Sequence, residues 1–266
     1  MGKCIFFDAD GTILDIQRGI AADVPDALAA LAANGHKTFL CTGRSRAFWP
    51  RELEDLPFTG RITNLGAYIE YQGKPVYEKV LPLADAQRAI RILRECGLVP
   101  VAEGCEHMYY DLDEYTTDVD WYADLITDCL KDRWLPISGN EGDIRINKIS
   151  AKKRPGCDAD RATKELSDIF DFIHHEGAFV GSTIECIAKG HSKGLAIAVL
   201  SSVLGIGTRD IIAFGDSNND LPMFALAGTK VAMGDASSDM LAAADYVTGT
   251  MGNRGITQAL VHLGLL

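Results

Sequence analysis

The sequence predicts an α/β protein, built as a doubly wound, mostly parallel sheet with an inserted α+β domain. At both ends of the chain, short apolar runs that end in polar, glycine-containing loops alternate with helical segments. Between residues 83 and 183, predicted strands and helices mix without that alternation. We therefore predict a core of residues 1–82 and 184–266 and an inserted domain of residues 83–183.

The first predicted strand is Cys4–Phe7, an apolar run that stops at Asp8. The next helix starts with a proline in its first turn and ends at Gly35, as helix termini favour. The predicted elements that follow the first strand are a helix at Val24–Asn34, a strand at Lys37–Cys41, a helix at Ser45–Leu53, and a strand and hairpin at Arg61–Tyr71 that turns at residues 72–75.

The inserted domain is predicted from alternating and helical patterns. Isoleucines alternate with polar residues in Asp143–Ala151, which is typical of a half-exposed strand. The predicted elements are helices at Ala84–Cys96, Glu114–Leu130 and Asp158–Phe170, and strands at Leu98–Glu103, Met108–Leu112, Asp143–Ala151, Phe172–His175 and Ala178–Gly181.

The C-terminal part returns to the alternation of strand and helix. The predicted strands are Thr183–Ala188, Asp210–Phe214, Lys230–Met233 and Asp245–Val247, and the predicted helices are Leu195–Leu204, Leu221–Ala227, Ser237–Ala243 and Gly255–Leu263.

Composition excludes several classes of partner. The chain has 266 residues, a formal net charge of −11 and no basic block, which argues against binding to nucleic acids or anionic membranes. No apolar run is long enough to span a bilayer, and we expect no signal peptide because Asp8 stands so near the first residue. The seven cysteines include no Cys-x-x-Cys pair, so we expect free thiols in a reducing cytoplasm. We expect a monomer or homodimer, a choice that the sequence leaves open.

Asp8 and Asp10 stand one residue apart, where the first strand ends and Gly11 follows. The same residues could form an ordinary turn, since Asp and Gly are common in turns. However, two carboxylates this close repel each other unless a cation or a shared proton lies between them. Ligands of parallel α/β sheets bind at the carboxyl ends of the strands. We therefore interpret the pair as a metal or reaction site.

Other predicted loops carry side chains that suit phosphoryl transfer. A carboxylate can act as the nucleophile, Mg²⁺ prefers carboxylate oxygens, and lysine and hydroxyl groups bind phosphate. Such chemistry depends mainly on positioning and charge neutralisation. The candidate residues are Asp8, Asp10, Thr42, Lys193, Asp216, Asn219 and Asp220.

These residues resemble, in order, the four motifs of the haloacid dehalogenase (HAD) superfamily phosphatases. The matching stretches are residues 8–12, residues 42–44, Lys193 and residues 215–220. The insertion resembles the large α/β cap of the Cof-type sugar-phosphate phosphatases, and the core would then be the Rossmann-like HAD core. The resemblance covers the whole chain.

The resemblance implies a Mg²⁺-dependent phosphatase that acts on a small phosphorylated metabolite. It implies that Asp8 is the nucleophile and that Asp10 protonates the leaving oxygen and later activates water. Mg²⁺ would be held by Asp8, the backbone carbonyl of Asp10 and Asp216. The phosphate contacts would be Thr42, Gly43, Lys193 and Asn219.

Some alternatives stay open at this point. Thr42 could simply cap the next helix, and Arg44 could bind substrate or be an exposed side chain. Asp220 could touch the metal or orient Lys193. The whole chain could also be a phosphomutase on the same scaffold, or a receiver-like phosphate-binding regulator without turnover.

Overall fold

A computed structural model describes residues 2–115, 126, 129–175 and 182–266. The predicted helix Glu114–Leu130 lies mostly outside these residues, and the predicted strand Ala178–Gly181 lies entirely outside them. The chain divides into two compact units. The first unit consists of Met1–Gly43, Arg51–Tyr77 and Ser192–Leu266, and the second of Arg44–Pro50 and Glu78–His191.

The strands are β1 (Cys4–Phe7), β2 (Leu14–Asp15), β3 (Gly19–Ile20), β4 (Lys37–Cys41), β5 (Gly60–Thr63), β6 (Tyr68–Tyr71), β7 (Lys74–Glu78), β8 (Leu98–Glu103), β9 (Met108–Tyr109), β10 (Trp134–Leu135), β11 (Lys148–Lys153), β12 (Phe170–His175), β13 (Thr183–Ala188), β14 (Ile211–Gly215), β15 (Thr229–Ala232) and β16 (Tyr246–Val247).

The α-helices are α1 (Val24–Ala33), α2 (Arg51–Glu54), α3 (Leu83–Glu95), α4 (Ala159–Glu165), α5 (Lys193–Leu204), α6 (Leu221–Phe224), α7 (Ser238–Ala243) and α8 (Gly255–His262).

The main sheet of the first unit has the strand order β16-β15-β14-β1-β4-β5-β6-β7. Neighbours from β16 to β5 pair in parallel, and β6 pairs with β5 in the antiparallel direction. The predicted mostly parallel, doubly wound sheet is therefore confirmed. Its centre is aromatic: Phe6 stacks on Phe39 with ring centroids 4.7 Å apart. Each fully buried phenylalanine contributes roughly 1.5–3 kcal/mol of hydrophobic stabilisation.

Two predicted elements of the first half differ in the structure. The helix predicted at Ser45–Leu53 is broken, with a 3₁₀ turn at Arg46–Phe48 and a separate α2. The break falls at Trp49, which is extended at φ −114° and ψ 135°, because a residue before proline is disfavoured in the helical region. The stretch Arg61–Tyr71 forms two strands, β5 and β6, because residues 64–66 turn between them.

The sheet of the second unit has the order β10-β9-β8-β11-β13-β12. All of its strand pairs are antiparallel except β9 and β10, which agrees with the α+β insertion predicted from the sequence. Helices α3 and α4 pack on one face through alanine, leucine and isoleucine side chains. The strand predicted at Asp143–Ala151 begins only at Lys148, although Ile144 and Ile146 are buried in the same core.

The second unit is larger than the predicted insertion of residues 83–183. It also includes residues 78–82 and 184–191, since β13 lies inside its sheet, and the separate segment Arg44–Pro50. Ala47 of that segment is buried against Val101 and Met108, and the Arg133 guanidinium donates to the Trp49 carbonyl at 3.3 Å. The segment therefore packs with the second unit through its own apolar contacts.

Within the described part of the chain, no helix combines the length and apolar character needed to cross a bilayer. All seven cysteines are free thiols.

Candidate active site

Three adjacent strands of the first unit place predicted site residues at one edge of its sheet. Asp8 follows β1, and Thr42 and Asp216 follow its two neighbours, β4 and β14. The chain runs from β1 to β4 on one side and comes back to β14 on the other. The carboxyl end of β1 is therefore a topological switch point, where parallel α/β sheets bind their ligands.

Lys193 is the centre of the site. Its ammonium Nζ donates to Asp8 Oδ1 at 2.5 Å, to Asp220 Oδ1 at 2.6 Å and to Asn219 Oδ1 at 3.1 Å. The side chain is fully buried. Lys193 is the first residue of α5, and the Ser192 hydroxyl accepts a bond from the Leu195 N–H and caps that helix. The cap at Ser192 therefore fixes where the helix starts, and with it the backbone position of Lys193.

Asp220 uses both carboxylate oxygens on the protein itself. Its Oδ1 accepts from Lys193, while Oδ2 accepts from the backbone N–H groups of Asp216 at 3.1 Å and Ser217 at 3.2 Å. A side chain at Gly215 would place its Cβ 2.5 Å from Asp220 Oδ2, so only glycine allows this approach. Asp220 thus ties the loop after β14 to Lys193.

Asp216 lies against the loop that follows β1. Its Oδ1 accepts from the Thr12 hydroxyl at 3.1 Å. Gly11 has φ +78°, and a Cβ there would lie 2.5 Å from Asp216 Oδ2. The glycine after Asp10 therefore serves two purposes, since it allows the left-handed turn and makes room for the Asp216 carboxylate.

The carboxylates outnumber the cation between them. Oxygens of Asp8, Asp216 and Asp220 lie within 4.8 Å of one another, and Lys193 is the ammonium that bonds two of them. Burial, together with repulsion from Asp220, Asp216 and Asp10, raises the pKa of Asp8 well above its usual range despite the attraction of Lys193. Burial and Asp220 likewise raise the pKa of Asp216 to about 6.

A divalent cation fits this group of side chains. It would offset the excess negative charge without a proton, and hard carboxylate oxygens are the ligands that Mg²⁺ prefers. The buried lysine stays protonated, because Asp220 and Asp8 raise its pKa more than burial lowers it.

The predicted phosphate-binding residues Thr42 and Asn219 also lie at this edge. Asn219 Oδ1 accepts from Lys193 and, at 3.0 Å, from the Ser217 hydroxyl. Thr42 is fully buried, and its backbone N–H donates to Ile62 O of β5 at 2.9 Å. Gly43 follows directly and is half-buried.

The remaining predicted residues are Asp10 and Arg44. Asp10 is half-buried and pairs with Leu14 in an isolated bridge, within a loop whose N–H groups converge on the Ala9 carbonyl. Arg44 belongs to the second unit, where its guanidinium lies 5.1 Å from the centre of the Phe48 ring.

Sequence reasoning gave no role to three residues that the structure brings into this region. Thr12 and Ser217 bond site residues directly, and both belong to the motif stretches, which was the available signal. Asn64 follows β5, and the signal near it was Gly66–Ala67, which resembles an Asn-Gly-Ala stretch of the HAD phosphatases except that Leu65 stands where asparagine is usual.

Comparisons with known proteins agree with this geometry. The family model described as haloacid dehalogenase-like hydrolase matches residues 5–260. YkrA of Bacillus subtilis is 29% identical over 266 residues, which covers 99% of this chain and 98% of that protein. The 5-amino-6-(5-phospho-D-ribitylamino)uracil phosphatase YwtE of the same organism is 27% identical, with 98% of each chain covered. A solved structure described as the HAD subclass IIB sugar phosphatase BT4131 superposes with a TM-score of 0.77 at 24% identity, covering 99% of this chain and 100% of that one.

Proposed function

The chain belongs to the haloacid dehalogenase-like hydrolase family and is a phosphoric monoester hydrolase, and from that premise we propose a metal, an intermediate and a substrate class. The metal is Mg²⁺, and the intermediate is an aspartyl-phosphate on Asp8. The substrate is a small metabolite that carries a phosphate ester on a sugar or sugar-like chain.

The observation that carries the proposal is the contact of Lys193 with Asp8. A nucleophilic carboxylate must be held in one orientation and kept ionised next to a dianionic ester. The 2.5 Å bond from Lys193 orients Asp8 and favours its charged form, while Asp220 holds the lysine from the other side. Lys193 therefore serves both the nucleophile and the incoming phosphate.

The reaction proposed has two steps. Asp8 attacks the phosphorus atom, and Asp10 gives a proton to the departing alcohol oxygen. Asp10 then takes a proton from a water molecule, which attacks the aspartyl-phosphate and releases inorganic phosphate and free Asp8. Thr42, Gly43, Lys193 and Asn219 hold the phosphate oxygens during both steps.

The metal would be held by Asp8, Asp216 and the backbone carbonyl of Asp10. When bound, Mg²⁺ neutralises charge between the carboxylates and the phosphate. Asp220 is proposed as a positioning residue, since its two oxygens already accept three protein donors.

The names of two similar proteins support the substrate class. YwtE is named for a phosphate ester on a ribityl chain, and BT4131 is described as a sugar phosphatase. Both esters carry phosphate on a polyhydroxylated carbon chain, so this chemistry is the first to test here.

The test is phosphate release from a panel of phosphorylated sugars, sugar alcohols, nucleotides and p-nitrophenyl phosphate. We expect turnover with Mg²⁺, its loss in EDTA and its return with added Mg²⁺. Asp8→Asn should lose turnover, while Asp26→Asn, at an exposed helix position, should keep it. If Asp8→Asn keeps wild-type turnover, Asp8 is not the nucleophile. If the phosphoryl group is transferred to a sugar and not to water, the enzyme is a phosphomutase.

A further inference from the structure

The segment between β5 and β6 has an unusual backbone. Asn64, Leu65 and Gly66 have φ values of +52°, +52° and +93° in succession. Left-handed conformations are tolerated by glycine and asparagine, but they are rare for a branched side chain such as leucine. A run of this kind persists only where the surroundings determine it, and such runs occur at binding and catalytic sites.

The surroundings of this segment are two loops of the candidate active site. The Leu65 N–H donates to the Thr42 carbonyl at 3.2 Å. On the other side, a Cβ at Gly66 would lie 2.3 Å from the carbonyl oxygen of Ser192, the residue before Lys193. The segment is therefore packed between the residues predicted to bind phosphate from β4 and from α5.

The Asn64 side chain brings an unsatisfied amide to this place. The residue is fully buried. Its Oδ1 accepts from the Thr63 hydroxyl at 2.9 Å, but among the described residues its Nδ2 has no hydrogen-bond partner. A buried donor without a partner is costly and rare in native proteins. If the oxygen and nitrogen of the Asn64 amide were exchanged, the oxygen would lack a partner among the described residues instead. One polar atom of the amide is therefore available in either orientation.

Strand spacing gives the distance from the nucleophile. Asp8 follows β1 and Asn64 follows β5, and β4 lies between those two strands. Two spacings of 4.7–4.9 Å put the two strand ends about 10 Å apart. That is too far for the amide to touch the phosphorus attacked by Asp8, but it is within the length of the alcohol part of a small phosphate ester.

We propose that Asn64 is a substrate-binding residue whose amide hydrogen-bonds a hydroxyl group on the alcohol part of the substrate. The inference rests on the proposed function and deepens it, because it assigns a residue of the first unit to the choice of polyhydroxylated esters. A site built to bond a substrate hydroxyl discriminates against ligands without one, since its own polar group is then left unpaired.

The test compares two substrates in variants that the left-handed backbone accepts. Asn64→Gly removes the amide, and Asn64→Asp keeps its shape but replaces the donor by a carboxylate. The substrates are the sugar or sugar-alcohol phosphate that the wild type prefers in the panel and p-nitrophenyl phosphate, which has no hydroxyl group. Gln72→Gly is the matched control, because Gln72 has φ +51° at an exposed position of the β6–β7 turn in the same unit.

We expect the ratio of kcat/KM between the hydroxylated substrate and p-nitrophenyl phosphate to fall about 10- to 100-fold in both Asn64 variants, mainly through KM. Gln72→Gly should keep the wild-type ratio. The inference is overturned if both substrates lose the same factor, which would indicate a structural role, or if the ratio does not change, which would mean that the amide meets only a buried water. Wild-type turnover and its loss in Asp8→Asn are measured first, so a failure of the proposed function is seen separately.

Discussion

At the scale of the residue, the aspartates of the site have opposite effects on its stability. Asp220 bonds Lys193 and two backbone N–H groups, so it holds the site together. Asp216 adds a further negative charge beside Asp8, and the rise of its pKa to about 6 shows that its charged form is disfavoured there. Repulsion between neighbouring carboxylates is expected where they are metal ligands, which fits Asp216 as a proposed ligand. Asp220 instead bonds protein donors with both oxygens, as a positioning residue does.

This difference predicts opposite outcomes for two similar substitutions. In EDTA, Asp216→Asn should keep or raise the Tm because it removes charge repulsion. Asp220→Asn should lower it, since it removes a partner from buried Lys193 at a cost of about 3–5 kcal/mol. Mg²⁺ should raise the Tm of the wild type but not that of Asp216→Asn. The measurement is thermal unfolding with and without Mg²⁺, and equal destabilisation by both variants would contradict the assignment.

Asp10 is predicted to act as general acid and base. Asp10→Asn should slow turnover of alkyl phosphates by about 10²–10⁴-fold. The first step should suffer less with p-nitrophenyl phosphate, whose leaving group departs without a proton. Rapid-quench kinetics with the two ester types check this expectation. The assignment fails if both types lose the same factor and no phospho-enzyme accumulates.

At the scale of the element, several regular strands could be predicted from the sequence with their bounds, whereas most irregular segments were not predicted. The predicted bounds of β1, β4, β8 and β13 agree with the structure, because each is an apolar run closed by a polar or glycine residue. The broken helix around Trp49 could have been anticipated from the proline that follows it.

The neighbouring positions of Asp8, Thr42 and Asp216 could be predicted for the same reason, since each follows the end of a regular strand. The contacts that hold these residues in place could not be predicted from the sequence. Asp220 was left between two roles because only coordinates show that both its oxygens are occupied. The left-handed backbone at Asn64, and the lack of a partner for its Nδ2 among the described residues, depend on loops distant in sequence, so the sequence around residues 64–67 does not reveal them.

A prediction at this scale concerns how the stability of the second unit's sheet changes at acidic pH. Lys148 is buried between Glu185 at 2.5 Å and Glu103 at 3.3 Å. Burial would raise the pKa of Glu185, but Lys148 and a hydrogen bond with His175 lower it to about 2. The stabilisation from ionised Glu185 is therefore present above its unfolded pKa, near 4.5, and is lost as the pH falls towards 2.

Glu185→Gln should remove that dependence. Below neutral pH, the urea midpoint of the wild type should fall more steeply between about pH 4.5 and pH 2 than that of the variant. At pH 7 the variant should be the less stable protein, because within the described part of the chain Lys148 then keeps Glu103 alone as a charged partner. If the urea midpoints of the two proteins fall in parallel as the pH is lowered, ionised Glu185 is not the source of this loss of stability.

At the scale of the whole molecule, the predicted roles divide between the two units. Every predicted site residue except Arg44 belongs to the first unit. We propose that the second unit distinguishes one polyhydroxylated phosphate ester from another, whereas Asn64 of the first unit favours hydroxylated esters in general. Specificity among phosphate esters resides in contacts to the alcohol part, which can change without altering the phosphoryl-transfer residues.

An exchange of units tests this division. Residues 78–191 and 44–50 should be replaced together by the corresponding residues of YwtE, because Ala47 packs inside the second unit. The chimera should gain the ribitylamino-uracil phosphate preference for which YwtE is named, while its rate with p-nitrophenyl phosphate stays within about 10-fold of wild type. The reciprocal chimera is the control. If a folded chimera keeps the original preference among hydroxylated esters, the choice among those esters lies in the first unit instead.

The central claim is that the phosphoryl group passes through Asp8, and trapping it there is the most direct measurement. Asp10→Asn should form the aspartyl-phosphate and break it down slowly. A single turnover with Mg²⁺ and the preferred substrate, quenched in acid and digested, should give a peptide containing Asp8 that has gained the mass of one phosphoryl group. The same experiment with Asp8→Asn should give no such peptide. A phosphoryl group found on another residue, or turnover by Asp10→Asn with no covalent species at any time point, would contradict the account.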